Sequence, residues 1–149
     1  MINRHWDPQK RFVGAVLRPY QNWVAEVSWN QHALGAFIIF LRREGVRLIS
    51  GCTARELEEL PFVMRDIECA VRQRFGADHF NYLQLGNGFP YLHFHGIPRY
   101  ETSREYAGRA WRDSTWGKPP VWSRKTVARE LVESIRKDLR PLLPVSDEE

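Results

Sequence analysis

The sequence predicts an α+β fold: an antiparallel sheet of about five strands packed with a kinked central helix and a C-terminal helix. Three observations carry this expectation. Short β-rich stretches alternate apolar and polar residues, and two longer stretches repeat apolar residues at helical spacing. The strand-like stretches also come in adjacent pairs, without the strand–helix–strand alternation of a parallel sheet. The 149 residues suit one domain, long enough to bury a core without crosslinks.

Residues 1–22 contain Pro8 and Pro19 and no sustained period, so an irregular arm is expected, with a short strand over 12–17. From Trp23 the pattern turns strand-like: Trp23, Ala25, Val27 and Trp29 alternate with Val24, Glu26 and Ser28. Asn30-Gln31-His32 is a turn signal, and the apolar run 34–41 follows as a hairpin partner buried on both faces. Thr53-Ala54-Arg55-Glu56 is a capping box that opens the central helix, with Leu57, Leu60, Met64, Ile67 and Val71 on one face. Pro61 predicts a kink or break, and Gly76 a C-terminal stop. Two further strands, 80–85 and 91–97, are joined by the turn-rich Gly86-Asn87-Gly88-Phe89-Pro90. Residues 100–125 carry Trp111, Trp116, Trp122 and Pro119-Pro120 without periodicity, a pattern common in functional or mobile segments. A last helix is expected over 126–140, with Val127, Leu131, Ile135 and Leu139 at four-residue steps, and a disordered tail over 144–149.

Composition excludes several classes of function. No apolar run approaches the roughly 18 residues of a transmembrane helix, and the polar start 1–8 has no apolar leader core, so a cytoplasmic setting without membrane contact is expected. Cys52 and Cys69 stand far apart and read as free thiols rather than a disulfide scaffold. The net charge of +4 is uneven: residues 99–140 hold 11 Lys and Arg against 6 Asp and Glu. That excess suits either a phosphate-bearing ligand or a solvated surface. With so modest a charge and no nucleic-acid motif, a nucleic-acid partner is not expected.

The chemistry concentrates in Tyr91-Leu92-His93-Phe94-His95-Gly96-Ile97-Pro98-Arg99. Side chains two apart on a strand share a face, so Tyr91, His93 and His95 point one way while Leu92 and Phe94 point into the core. Two imidazoles about 7 Å apart on a packed backing make a rigid platform for phosphoryl transfer, one to attack phosphorus and one to stabilise charge. The same pair begins many metal sites, but His5, His32 and His79 are scattered and no Cys or carboxylate stands at ligand spacing. Neither a metal nor a cofactor is expected.

The stretch from Asn81 to Tyr100 resembles the signature of the histidine triad (HIT) family, His-φ-His-φ-His-φ-φ continuing into Pro-Arg, with φ apolar. The likeness extends more loosely over residues 23–100, and the segment 106–117 looks like the tail of a bacterial subgroup of HIT hydrolases. The resemblance implies a HIT-like fold, a homodimer, and a nucleotide or dinucleoside polyphosphate substrate. It assigns His93 as the nucleophile that attacks an α-phosphate to form a covalent nucleotidyl-histidine. It gives His95 the phosphate oxygens or leaving group, and places Asn87 and Gly88 near ribose and phosphates. Ser28 or Asn30 takes the nucleoside-pocket position. Tyr91 fills the place of the first triad histidine, Ala36 follows Gly35 where many members have another histidine, and the 86–90 loop is short. A tyrosine donates one hydrogen bond but carries no imidazolium charge. Two readings therefore stand: a nucleotide hydrolase or nucleotidyl transferase with His93, His95 and Tyr91 at its centre, or a nucleotide-binding protein that does not cleave. The downstream tryptophans, with Arg109, Arg112 and Lys118, are either a lid over the site or core and interface residues.

Overall fold

The computed structural model describes residues 13–123 and 125–145. The expected arm before residue 13, including Phe12, and the tail from residue 146 lie outside the described residues. Five strands, β1 (Val16–Pro19), β2 (Trp23–Val27), β3 (Phe37–Leu41), β4 (His79–Leu83) and β5 (His93–Arg99), form one antiparallel sheet in the order β1-β2-β3-β5-β4. Two helices, α1 (Ala54–Phe75) and α2 (Arg129–Leu139), pack against each other and against β2. No helix of the described residues is long and apolar enough to cross a membrane.

Strand alternation decides which side of the sheet each residue serves. Trp23, Ala25 and Val27 of β2, Phe37, Ile39 and Leu41 of β3, and Phe94 of β5 enter the core that the two helices cover. Trp23 meets Phe94 at 5.9 Å between ring centroids, and its indole N–H donates to the Glu56 carbonyl at 2.7 Å. Gly96 belongs to the same face, opposite Phe37. The Phe37 ring lies where a side chain would be: a Cβ at Gly96 would sit 2.2 Å from it. Ile38 and Phe40 of β3, and His93, His95, Ile97 and Arg99 of β5, therefore belong to the other face.

The capping box is present, with the Thr53 hydroxyl accepting from the Glu56 N–H and the Glu56 carboxylate accepting from the Thr53 N–H. Helix α1 runs unbroken through Pro61, so the expected break does not occur, and ends on Gly76 in the left-handed region. Its buried stripe is Leu60, Val63, Ile67, Ala70, Val71 and Phe75, whereas Leu57 is 41% exposed. Glu56 takes the buried place one residue earlier because its charge is fully used. Arg43 donates to it at 2.7 and 3.0 Å, which with the Thr53 amide holds the carboxyl below its ordinary range.

Other boundaries differ from the expectation. Strand β5 begins at His93, which leaves Tyr91 in the preceding loop. Helix α2 begins at Arg129, and Pro141 lies in a short 3-10 turn, Arg140–Leu142. Residues 100–125 are not wholly irregular: β6 (Arg104–Tyr106) and β7 (Arg109–Trp111) form a separate hairpin. Cys52 and Cys69 are free thiols.

Candidate functional site

The sheet face opposite the helices carries a cleft of about 270 Å³ walled by Asn30, Ile38, Phe40, the 85–89 loop, His93, His95 and Trp122. His93 and His95 sit side by side on β5 with ring centroids 4.9 Å apart and planes at 77°. They are only 6% and 9% exposed. Phe40 stacks on His93 at 5.4 Å, and Phe89 meets it at 5.5 Å. Phe40 reaches it because β3 pairs Phe40 directly with His93.

One hydrogen bond sets the chemistry of His93. Its Nδ1 lies 2.7 Å from the Tyr91 carbonyl oxygen. A carbonyl can only accept, so Nδ1 carries the proton and Nε2, on the opposite edge of the ring, keeps its lone pair. Burial lowers the His93 pKa, against a smaller opposing effect of that hydrogen bond. Burial, then the neighbouring His93 and His32, push His95 down to about 4. Both rings are therefore neutral at pH 7, which is the state a nucleophilic imidazole needs.

The cleft gathers His93, His95, Asn87, Gly88 and Asn30. Asn87 and Gly88 are exposed on its rim, after Gly86 turns the loop in the left-handed region at φ 67°. Tyr91 and Ser28 do not line it. Tyr91 contributes its carbonyl to His93, while its ring meets Phe89 at 5.2 Å. Ser28 is buried in the β2–β3 turn, its hydroxyl accepting from the Asn30 N–H at 3.1 Å.

The segment after β7 is held over this face by Arg99, itself 4% exposed. Its guanidinium donates to Asp113 at 2.7 and 3.2 Å, to Asn81 at 2.6 Å, and to the Thr115 and Lys118 carbonyls at 2.7 and 2.8 Å. Trp122 then lies edge-on to His95, with centroids 4.3 Å apart, and also to His32 at 5.2 Å. The lid expectation thus narrows to one residue. Trp111 is buried in the core and Trp116 is exposed away from the cleft. Arg109 lies over the Trp111 ring, and Arg112 and Lys118 line other hollows.

Sequence reasoning missed Ile38, Phe40 and Phe89 as walls, Arg99 as a clamp, and His32 as more than a turn residue. The alternation of β3 assigns Ile38 and Phe40 to the face opposite Phe37, Ile39 and Leu41. Which face meets the histidines depends on the pairing with β5.

No family model matches the chain, and no curated protein matches it. Solved structures do. A histidine triad protein from Marinobacter aquaeolei is 26% identical, with 96% of each chain covered and a TM-score of 0.65. A histidine triad protein from Sinorhizobium meliloti is 18% identical over 86% of this chain and 88% of that one, with a TM-score of 0.68. A HIT-like protein from Bartonella henselae, described as involved in cell-cycle regulation, is 20% identical over 87% of this chain and 86% of that one, with a TM-score of 0.63.

Proposed function

We propose, from the fold it shares with solved histidine triad proteins, that this chain is a member of the histidine triad family and a nucleotide hydrolase or nucleotidyl transferase working at the α-phosphate of a nucleotide conjugate. The carrying observation is the bond from His93 Nδ1 to the Tyr91 carbonyl, which leaves a neutral Nε2 with its lone pair available. In the proposed reaction Nε2 attacks the α-phosphorus and a phosphorus–nitrogen bond forms. The bond to the leaving group breaks, and the leaving group departs with its electron pair. Water then attacks the same phosphorus and releases the nucleotide from His93, or an acceptor takes water's place in transfer.

His95 is assigned to the phosphate oxygens or the leaving group, and the amides of the Asn87–Gly88 turn to the phosphates and ribose. Asn30 is the nucleoside-pocket candidate that reaches the cleft. Substrates of the proposed class are dinucleoside polyphosphates and adenylylated amines, and a homodimer is proposed by family likeness, to be checked by sedimentation.

The test is to incubate the protein with such conjugates, quench, and locate a nucleotidyl group by mass spectrometry. Its attachment to His93 and loss of turnover in His93→Ala are expected; full turnover in that variant overturns the assignment. A second reading, binding without cleavage, draws on Trp122 lying against His95. It predicts calorimetric binding with no product, and an affinity that His93→Ala leaves nearly unchanged.

A further inference from the structure

Phe89 sits where two parts of the cleft meet. Its ring lies 5.5 Å from His93, 6.2 Å from Phe40 and 5.2 Å from Tyr91 between centroids. With Phe40 stacked on His93 at 5.4 Å, the rings of Phe40, Phe89 and His93 close a nearly equilateral triangle. Phe89 is also bonded to Gly88, the end of the Asn87–Gly88 rim turn. That turn projects from the sheet: both residues are exposed, and a Cβ at Gly88 would meet nothing within 4 Å. The chain is tied to the sheet region again at Leu92, whose N–H donates to the Val46 carbonyl at 2.8 Å and whose carbonyl accepts from the Leu41 N–H at 3.2 Å. Ahead of that point, the half-buried Phe89 carries the turn onto the ring cluster.

Attack on phosphorus needs two things at a fixed separation: the Nε2 edge of His93 and the amides that receive the phosphate. The Tyr91 carbonyl fixes one atom of the imidazole, Nδ1, at 2.7 Å. The tilt of the ring about that point is set by what packs on it, and Phe40 and Phe89 do so. A shift of about 1 Å between reacting groups can cost about a hundredfold in rate. Phe89 touches the imidazole and is covalently joined to the turn, so one side chain governs both positions.

We propose that Phe89 is a positioning residue that sets the separation between the Asn87–Gly88 turn and His93, and that the Tyr91 ring backs it. The inference rests on the reaction proposed above. It gives the tyrosine at the first place of the triad a second use besides its carbonyl. Its ring supports Phe89 by packing and takes no part in proton transfer.

Two measurements test it. Backbone order parameters from nuclear magnetic relaxation need no nucleotide. Asn87 and Gly88 are expected to be ordered in the parent chain and to fall below about 0.6 in Phe89→Ala. The second is the rate constant, at saturating adenosine 5′-phosphoramidate, for transfer of the nucleotide to His93, followed by rapid quench. It should fall about tenfold or more in Phe89→Ala, with Phe89→Leu restoring part of it and Phe89→Tyr most of it. Tyr91→Ala should lower it in the same sense, and Tyr91→Phe, which keeps the ring and the carbonyl, should recover most of that loss. A merely structural defect would reduce the folded fraction, read from the thermal transition, and leave the rate constant per folded molecule unchanged. Unchanged order in Phe89→Ala, or a rate within about twofold of the parent, overturns the inference. So does a Tyr91→Phe as slow as Tyr91→Ala, which would put the hydroxyl in the reaction. If the parent chain forms no adduct, the nucleotide reading has failed, and the order parameters still decide whether Phe89 holds the turn.

Discussion

Neutrality is the property of His93 and His95 that matters most, and it comes from burial against Phe40, Phe89 and Trp122. With its pKa held below the ordinary 6.5, His93 keeps its lone pair as pH falls through that value. The acid limb of kcat/KM for a nucleotide conjugate is therefore expected below pH 6.5, measured as initial rates across pH 4–8. Stability follows by linkage. His95 titrates near pH 4 in the folded chain but near 6.5 when unfolded, so between those values the unfolded chain binds more protons. Its contribution is complete above pH 6.5 and is lost as pH falls toward 4. The drop in Tm between pH 7 and pH 5 should be smaller in His95→Gln than in the parent chain. Gly96 makes a steric prediction at the same scale. Gly96→Ala places a methyl carbon 2.2 Å from the edge of the Phe37 ring and should cost about 1–3 kcal/mol or more in denaturant unfolding.

Among the elements, α1 shows how a charged residue can hold a core-facing position. Thr53→Ala removes the hydroxyl that the Glu56 amide uses, and should lower stability by about 1 kcal/mol in chemical denaturation. Glu56→Ala should cost more, because the carboxylate also anchors Arg43 and caps the Thr53 amide. Strand β5 is the element on which the site depends. Its core-facing Phe94 and Gly96 fix it against β3 and the helices, and the opposite parity sets His93 and His95 in the cleft and Arg99 at the clamp. Shifting its register by one residue would bury the imidazoles in the core.

At the scale of the molecule, Arg99 joins the end of the histidine strand to the segment that brings Trp122 over the cleft. Arg99→Met leaves Asp113, Asn81 and two carbonyls without their donor, and by analogy with broken buried ion pairs should cost about 3–5 kcal/mol. Hydrogen exchange should rise over residues 112–118 in that variant. The Asp113 pKa, lowered by Arg99 and by the Tyr100 and Thr115 amides against the opposing effect of burial, should rise. Unchanged exchange there would show that the segment is held by other contacts.

Local chemistry was legible in the sequence. Period-two alternation placed His93 and His95 on one face, the capping box opened α1, Gly76 closed it, and the hairpin of β2 and β3 stood out as paired apolar runs. These signals depend on residues within a few positions of one another. What depended on contacts across the chain was not legible. Leu57 looked like a core residue because Glu56 could not be seen to meet Arg43. Tyr91 looked like a member of the histidine face, although β5 starts two residues later and only its carbonyl acts on His93. Arg99 looked like the end of a motif until Asp113, Asn81 and Thr115 surrounded it, and His32 looked like a turn residue until Trp122 came to rest beside it. By itself the sequence determined the α+β class and the histidine pair, since both follow from local period and spacing. The tertiary structure alone decided which nitrogen of His93 is free, that burial disfavours protonation of both rings, and which side chains enclose them, because each follows from groups that only folding brings together.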